Sequence, residues 1–256
     1  MRALIIGHDH ASPSGLIGER LVERGFELDT ITVVPAERYH APGVDFDFPP
    51  LRGYDLVVPL GAPWSVDDRA TIGSWVGGEL ALLREAHALG VPVLGICFGA
   101  QALATALGGA VERAPHPEIG WMGVETDAPE LVPQGPWFQT HFDRFVVPPG
   151  ADELARSAVG PQAFRTGRSL GVQFHPELTE ATLRRWLDLG LYDQARGLGL
   201  DPDELLDRTR ELREEARRRA HALVDGFLDR VARSPAATGA EPAAATGAVP
   251  GACNPG

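Results

Sequence analysis

Short, continuous apolar runs alternate with helical patterns through the first part of the chain. Arg2–Gly7 is a β-rich run that meets polar residues at once. In Gly15–Arg24, the apolar residues Leu16, Ile17, Leu21 and Val22 recur at helical spacing, and Gly25 closes the segment. Phe26–Val34 predicts a second strand, and the Pro- and Asp-rich Pro35–Arg52 a loop. Asp55–Leu60 predicts a third, buried strand. Thr71–Leu89 reads as a helix with Gly90 as its C-terminal cap. Val91–Ile96 is a continuous apolar strand, followed by a short helix over Ala100–Leu107. This alternation predicts right-handed βαβ units, and so an α/β fold with a mostly parallel central sheet flanked by helices.

The pattern changes between Val111 and Phe174. Short β-like pieces separated by Pro and Gly follow one another: GWMGVET, DRFVVPP, ELARSAV, QAFRTG and SLGVQFH. They predict antiparallel strands added to the edge of the sheet. Helical patterns return over Ala181–Leu189 and Pro202–Val231. The second is Arg/Glu-rich but retains Leu205, Leu212, Leu223, Val224, Phe227 and Leu228. Beyond Ser234 the composition collapses to Ala, Gly, Pro and Thr, which predicts a disordered tail. The expected organisation is a main domain over 1–190, a helical C-terminal extension over 191–233 and the tail over 234–256.

Charge and composition narrow the chemistry. The net charge of −12 opposes binding to a phosphate backbone, so no nucleic-acid partner is expected. All 23 basic residues are Arg, which excludes a P-loop lysine, a Schiff-base lysine and a lysine general base. With no nucleotide fingerprint either, no cofactor is expected. The two cysteines, Cys97 and Cys253, do not make a disulfide framework and fit a reducing compartment. The N-terminal run reads as a strand rather than a signal peptide, and no apolar run approaches the ~18 residues needed to cross a bilayer. A soluble, cytoplasmic protein without a membrane partner is the expectation.

The sharpest local signal is Gly95-Ile96-Cys97-Phe98-Gly99-Ala100-Gln101. A buried strand runs directly into a helix with Cys at the join, which predicts a strained nucleophile elbow with glycines two residues either side to avoid collision. A thiol there lies at a helix N-terminus, where the dipole and free N–H groups favour a thiolate and can hold an oxyanion. Gly171-Val172-Gln173-Phe174-His175-Pro176-Glu177 supplies a partner. Read as strand, His175 and Glu177 project to one face, so that Glu177 can fix the imidazole and leave its other nitrogen for a thiol. A metal site is not expected, because a His and a Glu two apart offer too few ligands, and the P-C-x-x-C of zinc deaminases is missing.

Together, G-I-C-F-G-A-Q and Q-F-H-P-E resemble the class I glutamine amidotransferases, and within them stand-alone domains related to the amidotransferase part of GMP synthase. The resemblance covers about residues 1–190 and continues weakly to about 230. Leu60-Gly61-Ala62-Pro63-Trp64-Ser65-Val66-Asp67 is similar to the family's Gly-rich oxyanion loop. Glu118-Ile119-Gly120-Trp121 and His141-Phe142-Asp143 with Pro148-Pro149-Gly150-Ala151 match further family segments. The resemblance implies a flavodoxin-like sheet and a triad of Cys97, His175 and Glu177 acting on L-glutamine through a thioester. It also implies oxyanion donors at Phe98 and the Gly61–Ala62 loop, with Gln101, Thr140 and His141 binding the glutamine backbone groups. Ala62 stands where many relatives carry Gly, and Ala adopts unusual φ less cheaply.

Ammonia from such a domain passes to an acceptor, so a separate synthase or ligase subunit is the expected partner. The alternative is a stand-alone γ-glutamyl amide or peptide hydrolase with the same triad. The 200–233 helix either docks a partner or packs on the sheet, packing being the favoured reading. His8-Asp9-His10 reads as a solvated loop after the first strand, with a metal role as the minor option.

Overall fold

The computed structural model describes residues 1–233; the expected tail over 234–256, with Cys253, lies outside them. Its elements in chain order are β1 (Arg2–Gly7), α1 (Gly15–Glu23), β2 (Glu27–Thr32), β3 (Leu56–Pro59), α2 (Arg69–Leu89), β4 (Val93–Ile96) and α3 (Phe98–Ala106). Then follow β5 (Ala110–Thr126), β6 (Gly135–Val146), β7 (Asp152–Ser157), β8 (Gly160–Thr166), β9 (Ser169–Val172), α4 (Glu180–Trp186), α5 (Tyr192–Gly197) and α6 (Pro202–Gly226).

The nine strands form one sheet in the order β2-β1-β3-β4-β9-β8-β7-β5-β6. The first five run parallel, and the rest are antiparallel. Strands β3, β4 and β9 are buried along their whole length, as parallel strands covered on both faces must be. The period of two is visible in β1. Ala3 and Ile5 face Ile17 and Leu21 of α1 and Leu223 and Val224 of α6, whereas Leu4 and Ile6 face Trp75, Val76 and Leu83 of α2 and Leu103 of α3. Helix α2 is fixed at both ends: the Asp68 carboxylate accepts from Thr71 N–H, and Gly90 caps the C-terminus with φ 69°.

Three expectations need correction. The SLGVQFH piece is expected at the antiparallel edge, but β9 pairs in parallel with β4, Leu94 opposite Leu170 and Ile96 opposite Val172. Its unbroken apolar pattern is that of a strand covered on both faces. The strand also ends at Val172, so His175 and Glu177 sit in a turn rather than on a strand. The helix expected over Ala181–Leu189 stops at Trp186 and passes into a π turn over Leu187–Leu191 that contains Gly190 at φ 120°. Helix α6 also closes with a π turn, Phe227–Val231. It packs on the sheet through Leu223, Val224 and Phe227, and Arg20 of α1 and Arg24 at its C-terminal cap hold Asp225.

Candidate active site

Cys97 occupies the junction between β4 and α3 with φ 51° and ψ −108°, the one positive φ at a non-glycine residue among those described. Backbone strain of this kind collects at functional sites. The flanking glycines are required by packing: a Cβ at Gly99 would lie 2.1 Å from the Pro59 carbonyl oxygen, and one at Gly95 would lie 2.8 Å from the Gly99 oxygen. Cys97 N–H is held by the Val172 carbonyl at 2.8 Å, tying the elbow to β9.

That tie brings the two motifs together. His175, its N–H bonded to the Phe138 carbonyl, is buried against Trp186 with ring centroids 4.8 Å apart. Its Nδ1 lies 2.7 Å from Glu177 Oε1 across the Pro176 turn. Nε2 is buried without a partner at hydrogen-bond distance, yet the sulfur is near enough to act on the ring by charge. Burial alone would push the imidazole down, but the charges of Glu177 and Cys97 and the hydrogen bond to Glu177 outweigh it and raise its pKa to about 10. Glu177 thus favours the protonated ring.

Gly61 and Ala62 line the same cavity of about 220 Å³ as Cys97 and His175. A Cβ on Gly61 would come within 2.9 Å of His175 Cε1 and 3.8 Å of Cys97 Cβ, so only glycine lets this loop approach both. Ala62 needs no unusual φ, which removes the concern raised by its departure from Gly. Neither Ala62 N–H nor Phe98 N–H, the first of α3, has a hydrogen-bond partner among the described residues. Two free donors beside a thiol can hold an oxyanion. The Phe98 ring itself is buried in the core.

The remaining expected residues are placed less simply. Thr140 lines the cavity. Gln101 does too, but its Nε2 is spent on the Asp143 carbonyl at 3.1 Å and on Gln173 Oε1 at 3.2 Å. Gln173 in turn donates to Cys97 Sγ at 3.7 Å. His141 is engaged at both nitrogens, by Glu118 at 3.0 Å and by the Asp143 carbonyl at 2.9 Å. Gln101 and His141 thus brace the wall of the cavity. Sequence reasoning missed Asp9, Tyr39, Arg113 and Trp186, which also line it. They lie in four separate segments, and no local pattern marks them.

The His8-Asp9-His10 reading is overturned for its first two members. His8 is 0% exposed and Asp9 5%; only His10 lies outside. Asp9 accepts from Ala11 N–H at 2.6 Å and Ser12 Oγ at 3.0 Å, and Ser12 receives the Trp186 indole N–H at 3.1 Å. No group of three or more His, Cys, Asp or Glu among the described residues could hold a metal.

The sheet is flavodoxin-like and carries a strained cysteine elbow and a His–Glu pair at its carboxyl edge, which places the chain among α/β proteins of that architecture. The chain belongs to the class-I glutamine amidotransferase family, whose model matches residues 12–191. It is 36% identical over 138 residues to a glutamine-hydrolysing GMP synthase subunit of Saccharolobus solfataricus, covering 50% of this chain and 70% of that protein. It is 41% identical over 114 residues to the GMP synthase of Aeropyrum pernix, covering 40% of this chain but only 22% of that enzyme's length. A solved glutamine amidotransferase from Thermotoga maritima superposes with a TM-score of 0.76 at 28% identity, over 91% of this chain and 99% of that one. Another from Methylobacillus flagellatus gives 0.77 at 26% identity, over 89% and 94%. No helix among the described residues is long and apolar enough to cross a membrane.

Proposed function

We propose that this chain hydrolyses the side-chain amide of glutamine through a Cys97 thioester and supplies the ammonia to a separate synthase subunit. The observation that carries this reading is the strained Cys97 beside a buried His175–Glu177 pair and two unengaged N–H groups. The Cys97 thiolate adds to the amide carbon, and the oxyanion takes the Ala62 and Phe98 N–H donors. The His175 imidazolium gives its Nε2 proton to the departing nitrogen, and ammonia leaves. His175, now neutral, takes a proton from water, which adds to the thioester; glutamate departs and the sulfur is restored. Glu177 holds the ring through Nδ1 in both steps.

A partner synthase is supported by the Saccharolobus relative, whose name makes it one component of a GMP synthase. The chain covers about a fifth of the length of the GMP synthases of Aeropyrum pernix and Nitrosomonas eutropha that it matches. The second reading, a γ-glutamyl amide hydrolase, is favoured by one observation: Tyr39, Trp64 and Trp186 give the cavity an aromatic wall larger than a bare amide leaving group requires. Steady-state ammonia release from glutamine, with and without a GMP synthase-type partner, tests the proposal. Turnover of γ-glutamyl amines with no turnover of glutamine would select the second reading instead.

A further inference from the structure

Four parallel strands deliver a residue each to one edge of the sheet. β4 leads into Cys97, β9 leads to His175, β3 leads to Gly61, and β1 leads into His8. The first three belong to the proposed chemistry. His8 does not touch the cavity, yet it contacts both halves of the proposed oxyanion site from behind. Its Nδ1 lies 3.1 Å from the Gly61 carbonyl oxygen. Its ring meets the Phe98 ring edge-on at 4.6 Å and stacks on Trp75 at 5.7 Å. Its Nε2 lies 3.0 Å from both carboxylate oxygens of Glu79, and both side chains are wholly buried.

The donor count fixes the Nδ1 proton. A carbonyl can only accept, so Nδ1 must carry a hydrogen toward Gly61. The consequence reaches the cavity through one peptide bond. In a planar trans peptide the carbonyl of one residue and the N–H of the next point in opposite directions. Holding the Gly61 carbonyl inward, onto His8, turns the Ala62 N–H outward. That N–H has no other partner among the described residues, and Ala62 lines the cavity.

We propose that the buried His8–Glu79 pair is a positioning device for the oxyanion site: it fixes the Gly61–Ala62 peptide so that the Ala62 N–H faces the tetrahedral intermediate formed on Cys97. Glu79 on α2 holds the ring, and the ring holds the peptide. The inference rests on the proposed Cys97 chemistry but not on glutamine as the substrate.

The test separates acylation of Cys97 from its alkylation. Acylation passes through an oxyanion; displacement of iodide from iodoacetamide by the thiolate does not. In His8→Leu/Glu79→Leu both buried charges go together, a change of similar volume that leaves no unpaired ion in the core. In Glu79→Gln the Nδ1–H to Gly61 is kept. Single-turnover acylation by p-nitrophenyl acetate, with the acyl group located on Cys97 by mass spectrometry, is compared with iodoacetamide alkylation. The double variant should acylate about 100-fold more slowly, the cost of one oxyanion donor, with alkylation unchanged within about twofold. Glu79→Gln should acylate within a fewfold of the parent chain. Equal acylation in parent and double variant overturns the inference, as does a parallel fall in alkylation, which marks general disruption. A parent chain whose Cys97 is alkylated but never acylated overturns it too. Acylation by the ester with no turnover of glutamine refutes the substrate assignment alone and leaves the role of His8 standing.

Discussion

At Cys97 the backbone and the side chain pull in opposite directions. A φ of 51° with ψ of −108° suits glycine and costs an L-residue about 1–3 kcal/mol. Comparing Cys97→Gly with Cys97→Ala isolates that strain, because neither variant has a sulfur. The Gly variant should be the more stable of the two by about 1–3 kcal/mol in urea unfolding, the reverse of the usual ranking inside regular elements. If Ala is equal or better, the elbow is not strained. Neither variant should release ammonia from glutamine above background; undiminished release would remove Cys97 from the mechanism. Glu177 acts one step away. Without its charge, burial dominates and the His175 pKa falls from about 10. Glu177→Gln should therefore lower kcat by about 10²–10⁴-fold, less than loss of the nucleophile, and move the alkaline limb of kcat/KM to lower pH. An alkaline limb that stays in place would mean that another group holds the imidazole.

Among the elements, α6 lies wholly beyond the reach of the family model, which ends at residue 191, yet it completes one face of the core. Phe227, in the π turn after α6, is fully buried with Val231 and Leu170 in the same cluster. Phe227→Ala should cost about 3–5 kcal/mol in urea unfolding, whereas an exposed site such as Val22→Ala should cost little. A small loss at Phe227 would make α6 an appendage. The apolar stripe Leu223, Val224, Phe227 and Leu228 makes this packing legible from sequence, and the βαβ half is legible for the same reason: buried parallel strands read as unbroken apolar runs. The β9 pairing is not, because an apolar run is silent about its neighbour, and strand order depends on contacts distant in sequence. The Cys97 elbow is legible because its glycines are dictated locally. The meeting of His175 with Glu177 is expected from sequence for the wrong reason, since a Pro176 turn rather than strand alternation brings them together. His8 is misread from sequence because polar residues after a strand usually meet water, and its partner Glu79 lies on α2, far along the chain.

Over the whole molecule, the same buried pair gives the stability a pH dependence that can be counted in protons. Burial would lower the His8 pKa, but the Glu79 charge and hydrogen bond, the Gly61 carbonyl and Asp9 raise it above its ordinary value. The unfolded ring titrates near 6.5. A raised folded pKa means that the stabilisation is fully present below about pH 6.5 and is lost as pH climbs through the folded value. Glu180 works from the other side. Hydrogen bonds from Arg210, Arg184 and Arg213 lower its pKa to about 2, so its contribution is present above about pH 4.3 and is lost as the pH falls toward 2. His175 is raised as well, but it is the same in the parent chain and in the variants below, so a difference between them reports His8. Unfolding free energy should peak between about pH 5 and 6.5 and fall above it, by up to about 1.4 kcal/mol per pH unit for each extra proton held by the folded chain. Urea unfolding at pH 6, 7, 8 and 9 measures that slope. His8→Leu/Glu79→Leu should flatten it by one proton's worth, and Glu79→Gln, in which a neutral ring satisfies the same contacts, should flatten it equally while keeping Cys97 acylation. Identical slopes in all three chains would mean that folding adds no proton at His8 over this pH range.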